Sequence, residues 1–380
     1  MSSPTILLSA GEPSGDLHGA AVARELRRRW PGVRLFGLGG PRMEAAGVEL
    51  LADHRKLAVM GFAEVAARLP YFFRLFSRVR SEMVSRGTDL VIPIDYPGFN
   101  LRLARAAHAA SIPVLYYIAP QVWAWHRSRM RQMAEHTARV AVVLPFEEPL
   151  FREAGARATY VGHPLLDAAA PVLSREALCR QVNLRTDRPI LAVFPGSRAQ
   201  EVVRHMEVFV ETARRVRARR PEIQPVIAVS DAVPAHLYEG LPFPRTTESR
   251  SLLHHARAAL VKSGTTTLEA ALAGTPMVIA YKTSPLTYQL ARRLVRVDHI
   301  GLVNLVMGER LVPEFVQGDA TPAKLTDALE PLVDPKSAER QAMVAGLTRV
   351  REILAAGGDG APNAAGRVVE LADELLSGAA

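Results

Sequence analysis

Residues 261–276, VKSGTTTLEAALAGTP, read as the end of a buried strand, a turn of small hydroxylated residues and the start of a helix. Ser263, Gly264 and Thr265 lead into that helix. Gly264 lets main-chain N–H groups point outward, and the hydroxyls of Thr265–Thr267 are natural N-cap acceptors. Such a start presents unpaired donors and about half a positive charge from the macrodipole, which suits a phosphate. Glu269, one turn inside, can accept hydrogen bonds from a sugar's hydroxyls. The competing reading is an ordinary capped helix. A second anion site follows another strand. In FPGSR, Gly196 and Ser197 offer main-chain and hydroxyl donors ahead of a helix, and Arg198 adds a cation whose guanidinium clamps phosphate through two bonds. Two anion sites in one half of the chain match the two phosphates of a diphosphate. Asn304, the amide in GLVNL, reads either as part of that site or as a structural turn.

The first half supplies carboxylates and flat rings. GEPSGD, residues 11–16, directly follows the first strand and lacks the GxGxxG spacing of dinucleotide folds, so NAD is disfavoured. Glu12 is left at the ligand edge with Ser14 and Gly15 beside it, and Ser14 or Asp16 is placed to cap the next helix. Gly39 and Gly40 of GLGGPRM bring backbone close to a bound ligand. Asp95 ends the strand Leu90–Ile94, stiffened by Pro93 and Pro97. It suits a general base acting on a hydroxyl, or else a solvated turn. Gln121, Trp123 and Trp125 in APQVWAW follow a further strand. The two tryptophans are either core residues or a shelf for a sugar ring or acyl chain.

Positioning such groups requires strand ends. Apolar runs at Thr5–Ala10, Val33–Gly37, Leu90–Ile94, Val114–Ile118 and Val140–Leu144 alternate with helical patterns such as Leu17–Arg29, Leu69–Ser85, Leu101–Ala110 and Glu147–Ala154. After a Pro/Ala-rich passage the rhythm restarts with Ile190–Phe194, Pro225–Val229, Ala258–Lys262 and Pro276–Ala280. Helices are expected at Gln200–Arg217, Leu268–Ala273 and Thr287–Val295. Continuous apolar strands separated by helices imply parallel sheets covered on both faces. The expected architecture is α/β, with two Rossmann-like doubly wound domains facing a cleft. The domains are 1–165 and 166–344, and the helices of 345–380 complete the first. Ligands are expected at the carboxyl ends of the strands.

A chain of 380 residues, 48% hydrophobic and 22% charged, is globular and too long for one core. The single Cys179 excludes a disulfide framework and any multi-cysteine zinc site, and no metal-ligand cluster is legible. No leader or membrane-spanning run is expected. The net charge of +9 calls for an anionic partner: nucleic acid, anionic lipid or phosphorylated substrate. Nucleic acid is excluded, because no zinc-finger, basic-zipper or RNA-binding signature is present. In ARLPYFFRLFSRVR, Leu69, Phe72, Phe73 and Phe76 lie among Arg74 and Arg78. One face of this segment can pack on a core. The remainder resembles an interfacial helix that dips into an anionic bilayer or holds acyl chains.

In their order, SAGEPSGDLHG, GLGGPRMEAAG, VMGFAEV, APQVWAW, LPFE, YVGHPL, FPGSR, SGTTTLEAAL and VNLV resemble the motifs of lipid-A-disaccharide synthases over nearly the whole chain. The resemblance implies a glycosyltransferase B fold and no cofactor. The implied inverting transfer joins UDP-2,3-diacylglucosamine to 2,3-diacylglucosamine 1-phosphate, giving a β(1→6) disaccharide 1-phosphate and UDP. Asp95 would be the base with Glu12 alongside, and Arg198, the SGT turn and Asn304 would hold the diphosphate. The family works on the cytoplasmic face of the Gram-negative inner membrane, and a homodimer is allowed. One departure stands out: the family's DxPDFN loop here reads DYPGFN, with Gly98 in place of the second acid. Another UDP-sugar transferase acting on a lipid-linked acceptor, or a binding protein without catalysis, are the alternatives.

Overall fold

The computed structural model describes residues 3–54, 62–124, 127–167, 171–285, 287–289, 298–355 and 363–378. The chain forms two compact units, one of residues 1–168 with 354–380 and one of 169–353.

The first unit is built on seven parallel strands: β1 (Thr5–Ala10), β2 (Arg34–Gly39), β3 (Glu49–Asp53), β4 (Leu90–Ile94), β5 (Leu115–Tyr117), β6 (Arg139–Val142) and β7 (Ala158–Tyr160). Their order is β3-β2-β1-β4-β5-β6-β7. Ile6 aligns with Leu35 on one side and Leu90 on the other, so β1 is central and wholly buried. That burial explains why its sequence, TILLSA, runs apolar without alternation. Helices α1 (Pro13–Arg29), α2 (Pro41–Ala45), α3 (Phe62–Ser85) and α4 (Pro97–Ala109) follow β1, β2, β3 and β4 in turn. Leu75, Val79 and Met83 of α3 and Phe99 and Leu103 of α4 join Leu7, Phe36 and Val91 in one core. The last helix of the chain, Ala364–Leu376, packs against α1 and β5, with an Arg29–Asp373 ion pair at 2.8 Å.

The second unit repeats the plan with β8 (Ile190–Phe194), β9 (Gln224–Ala228), β10 (Arg245–Thr246), β11 (Ala256–Lys262), β12 (Met277–Tyr281) and β13 (Glu314–Val316). The order is β10-β9-β8-β11-β12-β13, and every pairing is parallel. In each sheet the strand order reverses once, between β1 and β4 and between β8 and β11. Such a reversal opens a crevice at the carboxyl ends of the two strands, where doubly wound folds bind ligands. The turns carrying Glu12 and Asp95 flank the first reversal. FPGSR and VKSGTTT flank the second.

The α/β class and most strands agree with the sequence pattern. Strands β3, β7, β10 and β13 were not expected. They have two to five residues and lie at or next to sheet edges, where partial exposure dilutes an apolar run. Helix α4 begins at Pro97, four residues before the expected start, because proline suits the first helical position. Of the expected helix Thr287–Val295, only residues 287–289 are described.

Asp16 corrects one local expectation. Neither it nor Ser14 caps α1, whose N-cap is Glu12, with no side-chain bond to the helix's first amides. Asp16 instead lies buried on α1 and accepts N–H bonds from Gly40 (2.7 Å), Met43 (3.0 Å) and Arg42 (3.1 Å). It therefore caps α2 across space and ties the turn after β2 to the helix after β1. Gly40 has to be glycine for the same reason, since a Cβ there would fall 2.4 Å from His54 and 2.9 Å from Cγ of Asp16. Asp16→Ala should cost about 2–3 kcal/mol, as it leaves buried amides without an acceptor, and Asp16→Asn should cost less. Urea denaturation of the two variants measures this; an alanine loss under about 0.5 kcal/mol would mean that the amides find other acceptors.

Candidate active site

The carboxyl end of β4 is held by one buried amide. Asp95 and Tyr96 both take left-handed backbone, at φ 45° and 50°, a conformation that costs non-glycine residues about 1–3 kcal/mol each. Asn100, fully buried in the first turn of α4, pays this back through its side chain. Its Nδ2 donates to the carbonyls of Asp95 (2.7 Å), Ser9 (3.0 Å) and Ile94 (3.2 Å), and its Oδ1 accepts from the Ser9 hydroxyl at 2.6 Å. The Tyr116 hydroxyl donates to the Asp95 carbonyl at 2.8 Å, and the Asp95 amide donates to Tyr117 at 3.1 Å. The main chain of Asp95 is thus fixed on three sides, which orients a partly exposed carboxylate. The sequence reading passed over Asn100, although a lone amide beside Phe99 in a buried helix start was its signal.

Glu12 is exposed at the neighbouring turn. Tyr96 bridges the two turns: its ring lies where a side chain on Gly11 would sit, 2.3–2.5 Å from an ideal Cβ. Burial and the Glu12 charge raise the Tyr96 phenol above its ordinary range. Ser14 is exposed, whereas Gly15 is buried with its Cβ position 3.1 Å from that of Ala10, an approach that sets α1 close on β1. Gly39 meets Met43 in the same way. Gly15, Gly39 and Gly40 therefore serve contacts within the protein. His18 and His163 are both pushed down to about 4 by burial, and His163 further by His18.

Gln121 is exposed, but Trp123 is 7% exposed and not an open shelf. Its indole N–H donates to Glu147 at 2.9 Å, and Phe146 meets its ring edge to face at 5.1 Å. Glu147, buried in the LPFE turn, also accepts from the Leu144 amide at 3.2 Å. Burial pushes its carboxyl up to about 7 despite these donors, and the charge of Asp95 adds to the rise. Trp125 lies outside the described residues.

Along α3 the aromatic segment divides. Phe72 and Phe76 lean on the core, Phe76 edge to face with Phe99 at 5.6 Å. Phe73 is 63% exposed, next to exposed Arg74 and on the same helix as exposed Arg78. The side chain of Leu69 lies outside the described residues. Among the described residues, no helix is long and apolar enough to cross a membrane.

In the second unit, Gly196 at φ 138° turns the chain after β8, and helix Ala199–Arg219 follows with Arg198 at its N-cap. Glu201 in the first turn folds back under the loop. Its Oε2 accepts from the Ser197 amide at 3.1 Å, and its Oε1 from Lys262 Nζ at 2.9 Å, with Arg198 Nη1 at 3.5 Å. A Cβ on Gly196 would strike Cβ of Glu201 at 2.5 Å, which explains the glycine. Glu201's carboxyl is partly buried, yet the Lys262 ammonium, the Ser197 amide and the Arg198 charge together hold it below the usual range. His205, buried on the same helix, bonds through Nδ1 to the Glu201 carbonyl (2.7 Å) and accepts the Lys282 amide at Nε2 (2.8 Å), which fixes a neutral tautomer.

At the end of β11, the Ser263 hydroxyl donates to the Ile300 carbonyl at 2.7 Å. The expected threonine cap does not form: Thr265 makes no side-chain cap, and the Thr267 hydroxyl donates back to the Gly264 carbonyl at 2.8 Å. The helical ladder starts at the amides of Thr267, Leu268 and Glu269, so those of Gly264–Thr266 precede it. Burial raises Glu269's carboxyl while Arg250 opposes. Asn304 departs from the expected diphosphate role. It is fully buried, and its Nδ2 donates both protons, to the Val312 carbonyl (2.8 Å) and Glu314 (2.7 Å), while Oδ1 accepts the Val312 amide (2.9 Å). Among the described residues there is no group of three or more His, Cys, Asp or Glu side chains that could hold a metal ion.

The model of the lipid-A-disaccharide synthetase family matches residues 6–356. Lipid-A-disaccharide synthase of Geobacter sulfurreducens is 44% identical, with 93% of this chain and 94% of that protein covered. The one from Syntrophus aciditrophicus is 40% identical, with 99% of both covered. Among solved structures, the calicheamicin glycosyltransferase CalG4 superposes with a TM-score of 0.61 at 20% identity, covering 100% of both chains. Its fold is the two-Rossmann glycosyltransferase B fold.

The raised Glu147 has a measurable consequence. Its proton is kept by the folded protein but released by the unfolded chain between the ordinary carboxyl value of 4.5 and about 7. The stability it adds is complete below that window and lost as pH rises through it, by roughly 3 kcal/mol. Glu147→Gln cannot titrate and keeps the acceptor for Trp123. Denaturation at pH 5 and pH 8 should therefore show the wild type losing ground to the variant at the higher pH. Any contribution from His18 and His163 has the opposite sign and cancels in the comparison. Parallel profiles would show that Glu147 is ionised in the folded protein.

Proposed function

We propose, from the premise that this chain belongs to the lipid-A-disaccharide synthase family, how its own residues divide the work of the reaction. The protein is a glycosyltransferase of lipid A biosynthesis. It takes a UDP-sugar donor and a phosphosugar acceptor, and forms the β(1→6) disaccharide 1-phosphate with release of UDP. The observation that carries our reading is the position of the candidate groups at the two strand-order reversals. A carboxylate on clamped backbone stands at one, and a cation beside a helix start at the other.

The first unit takes the acceptor. Asp95 accepts the proton of the 6-hydroxyl as that oxygen bonds to C1 of the donor sugar. The C1–O bond to the diphosphate breaks on the opposite face, its electron pair leaves with UDP, and C1 inverts. Glu12 stands alongside as a second acceptor of hydrogen bonds. The second unit holds the diphosphate: Arg198, the Ser197 hydroxyl and the amides of the Gly264–Thr265 turn take up charge as it develops. Preorganised donors of this kind are worth about 10²–10³ in rate. The reading routes no step through a metal or cofactor.

Acyl chains on both sugars and an anionic inner-membrane surface complete the proposal. Exposed Phe73 with Arg74 and Arg78 supports it, since an aromatic flanked by cations suits an anionic lipid interface. The docking would make the enzyme peripheral on the cytoplasmic face.

Asp95→Asn should lower kcat by at least 10³ with UDP affinity changed less than about threefold, because the carboxylate acts on the acceptor. Arg198→Ala should raise KM for the donor and lower kcat together, with lysine restoring only part, since a point charge replaces a fork. Steady-state kinetics in EDTA test both. Activity of Asp95→Asn near wild type would transfer the base role to Glu12, and an absolute need for a divalent ion would overturn the scheme.

For the membrane, Phe73→Ser is the informative variant, because Phe72 and Phe76 also serve the core. It should reduce co-sedimentation with phosphatidylglycerol vesicles at high salt while leaving thermal unfolding within a few degrees of wild type. Arg74→Gln with Arg78→Gln should weaken binding at low salt by about 1 kcal/mol per charge. Unchanged sedimentation of all three would remove α3 as the docking element.

A further inference from the structure

Lys262 is the last residue of β11, and its position is unusual for a surface lysine. Its side chain is 15% exposed and its ammonium pairs with Glu201, itself 16% exposed. Strands β8 and β11 are neighbours, with Val261 opposite Phe194, so the turns that follow them share one edge of the sheet. The ammonium reaches from one turn to the other. It bonds the carboxylate that closes the FPGSR loop, and it lies 3.4 Å from the point where a Cβ on Gly264 would be. The Tyr281 ring supports it at 5.7 Å from the centroid. An ammonium carries three N–H donors, and among the described residues Glu201 is the one acceptor bonded to it.

The local charge balance gives the lysine a task. Glu201 is a built-in anion at the loop that is to receive a phosphate. Set against Arg198 alone, it would cancel that cation and leave only the helix-start amides and dipole to attract a diphosphate. With Lys262 the three charges sum to positive, and Glu201 holds the ammonium extended toward Gly264. His205, held neutral between Glu201 and Lys282, adds no charge of its own. We propose that Lys262 is a second diphosphate-binding cation, held between the two turns by Glu201, and that it contacts the phosphate bound to the sugar rather than the nucleoside. The inference rests on the reading of the second unit as the UDP-sugar site.

Isothermal titration of the full chain with UDP and with UMP tests it. Lys262→Met should weaken UDP by about 10- to 100-fold, the worth of a charge-assisted bond, and UMP by less than threefold. Lys262→Gln, which keeps a hydrogen-bond donor toward Glu201 but carries no charge, should show the same UDP-selective loss. Should Lys262→Met not fold, as thermal unfolding would reveal, Lys262→Gln decides by the same comparison of UDP with UMP. Equal losses for UDP and UMP in a folded Lys262→Met protein overturn the proposal, since they mean a disturbed loop. UDP affinity unchanged by Lys262→Met overturns it too, while leaving the donor-site reading intact. A wild-type chain that binds neither nucleotide refutes that reading, and the inference with it.

Discussion

Turns at the carboxyl edges of both sheets close on the protein's own carboxylates, which accept main-chain N–H groups. Asp16 takes three amides of the turn after β2. Glu147 takes Leu144 and the Trp123 indole. Glu201 takes Ser197, and Glu314 takes Ile300 at 2.9 Å and Gly301 at 2.8 Å along with Asn304. The physical demand is general. A strand passing into a helix leaves amides without intrahelical partners, and burying them without acceptors costs about 1–3 kcal/mol each. An internal carboxylate removes that cost and fixes the loop before any ligand arrives.

The device has a price in electrostatics, and the site is arranged around it. A resident anion competes with an incoming one. Where the protein needs only structure, the carboxylate is taken up by the protein's own donors, as Glu314 is by Asn304 and two amides. Where we propose that a phosphate binds, the resident Glu201 is accompanied by two cations. On the side of Asp95, the buried carboxyl of Glu147 holds its proton to higher pH instead. Burial and the Asp95 charge raise the Glu147 carboxyl to about 7, which lowers the negative charge that the LPFE turn presents to the candidate base. The same preorganisation supports the left-handed backbone at Asp95 and Tyr96, which Asn100 and Tyr116 hold in place.

Most of this architecture was legible in the sequence because parallel strands buried on both faces are continuous apolar runs. TILLSA, LVIPI and ILAVF could be read directly, and each is followed by a glycine- or proline-bearing turn. What remained hidden depends on side chains that meet across long stretches of chain. Asp16 and Gly40 are 24 residues apart and Glu201 and Lys262 are 61 apart, so no local pattern pairs them. Trp123 and Asn304 mislead for a related reason. An indole or an amide at a turn has the same sequence signature whether it faces a ligand or a buried carboxylate. Asn100 was the missed opportunity, since an amide in a helix start packed between buried strands must satisfy main-chain carbonyls there.

Gly98, where the resemblance led to the expectation of a second loop acid, becomes intelligible from the same geometry. Gly98 is exposed at the second position of α4, and a Cβ there would meet nothing within 4 Å. An acid at that point would reach into solvent and interact with the helix terminus, worth about 0.3–1 kcal/mol. It would have no part in the Asn100, Ser9 and Tyr116 contacts that fix Asp95. Losing it therefore leaves the orientation of Asp95 unchanged. The loop can vary at the position that faces water, and it is constrained at the positions that clamp the strand end.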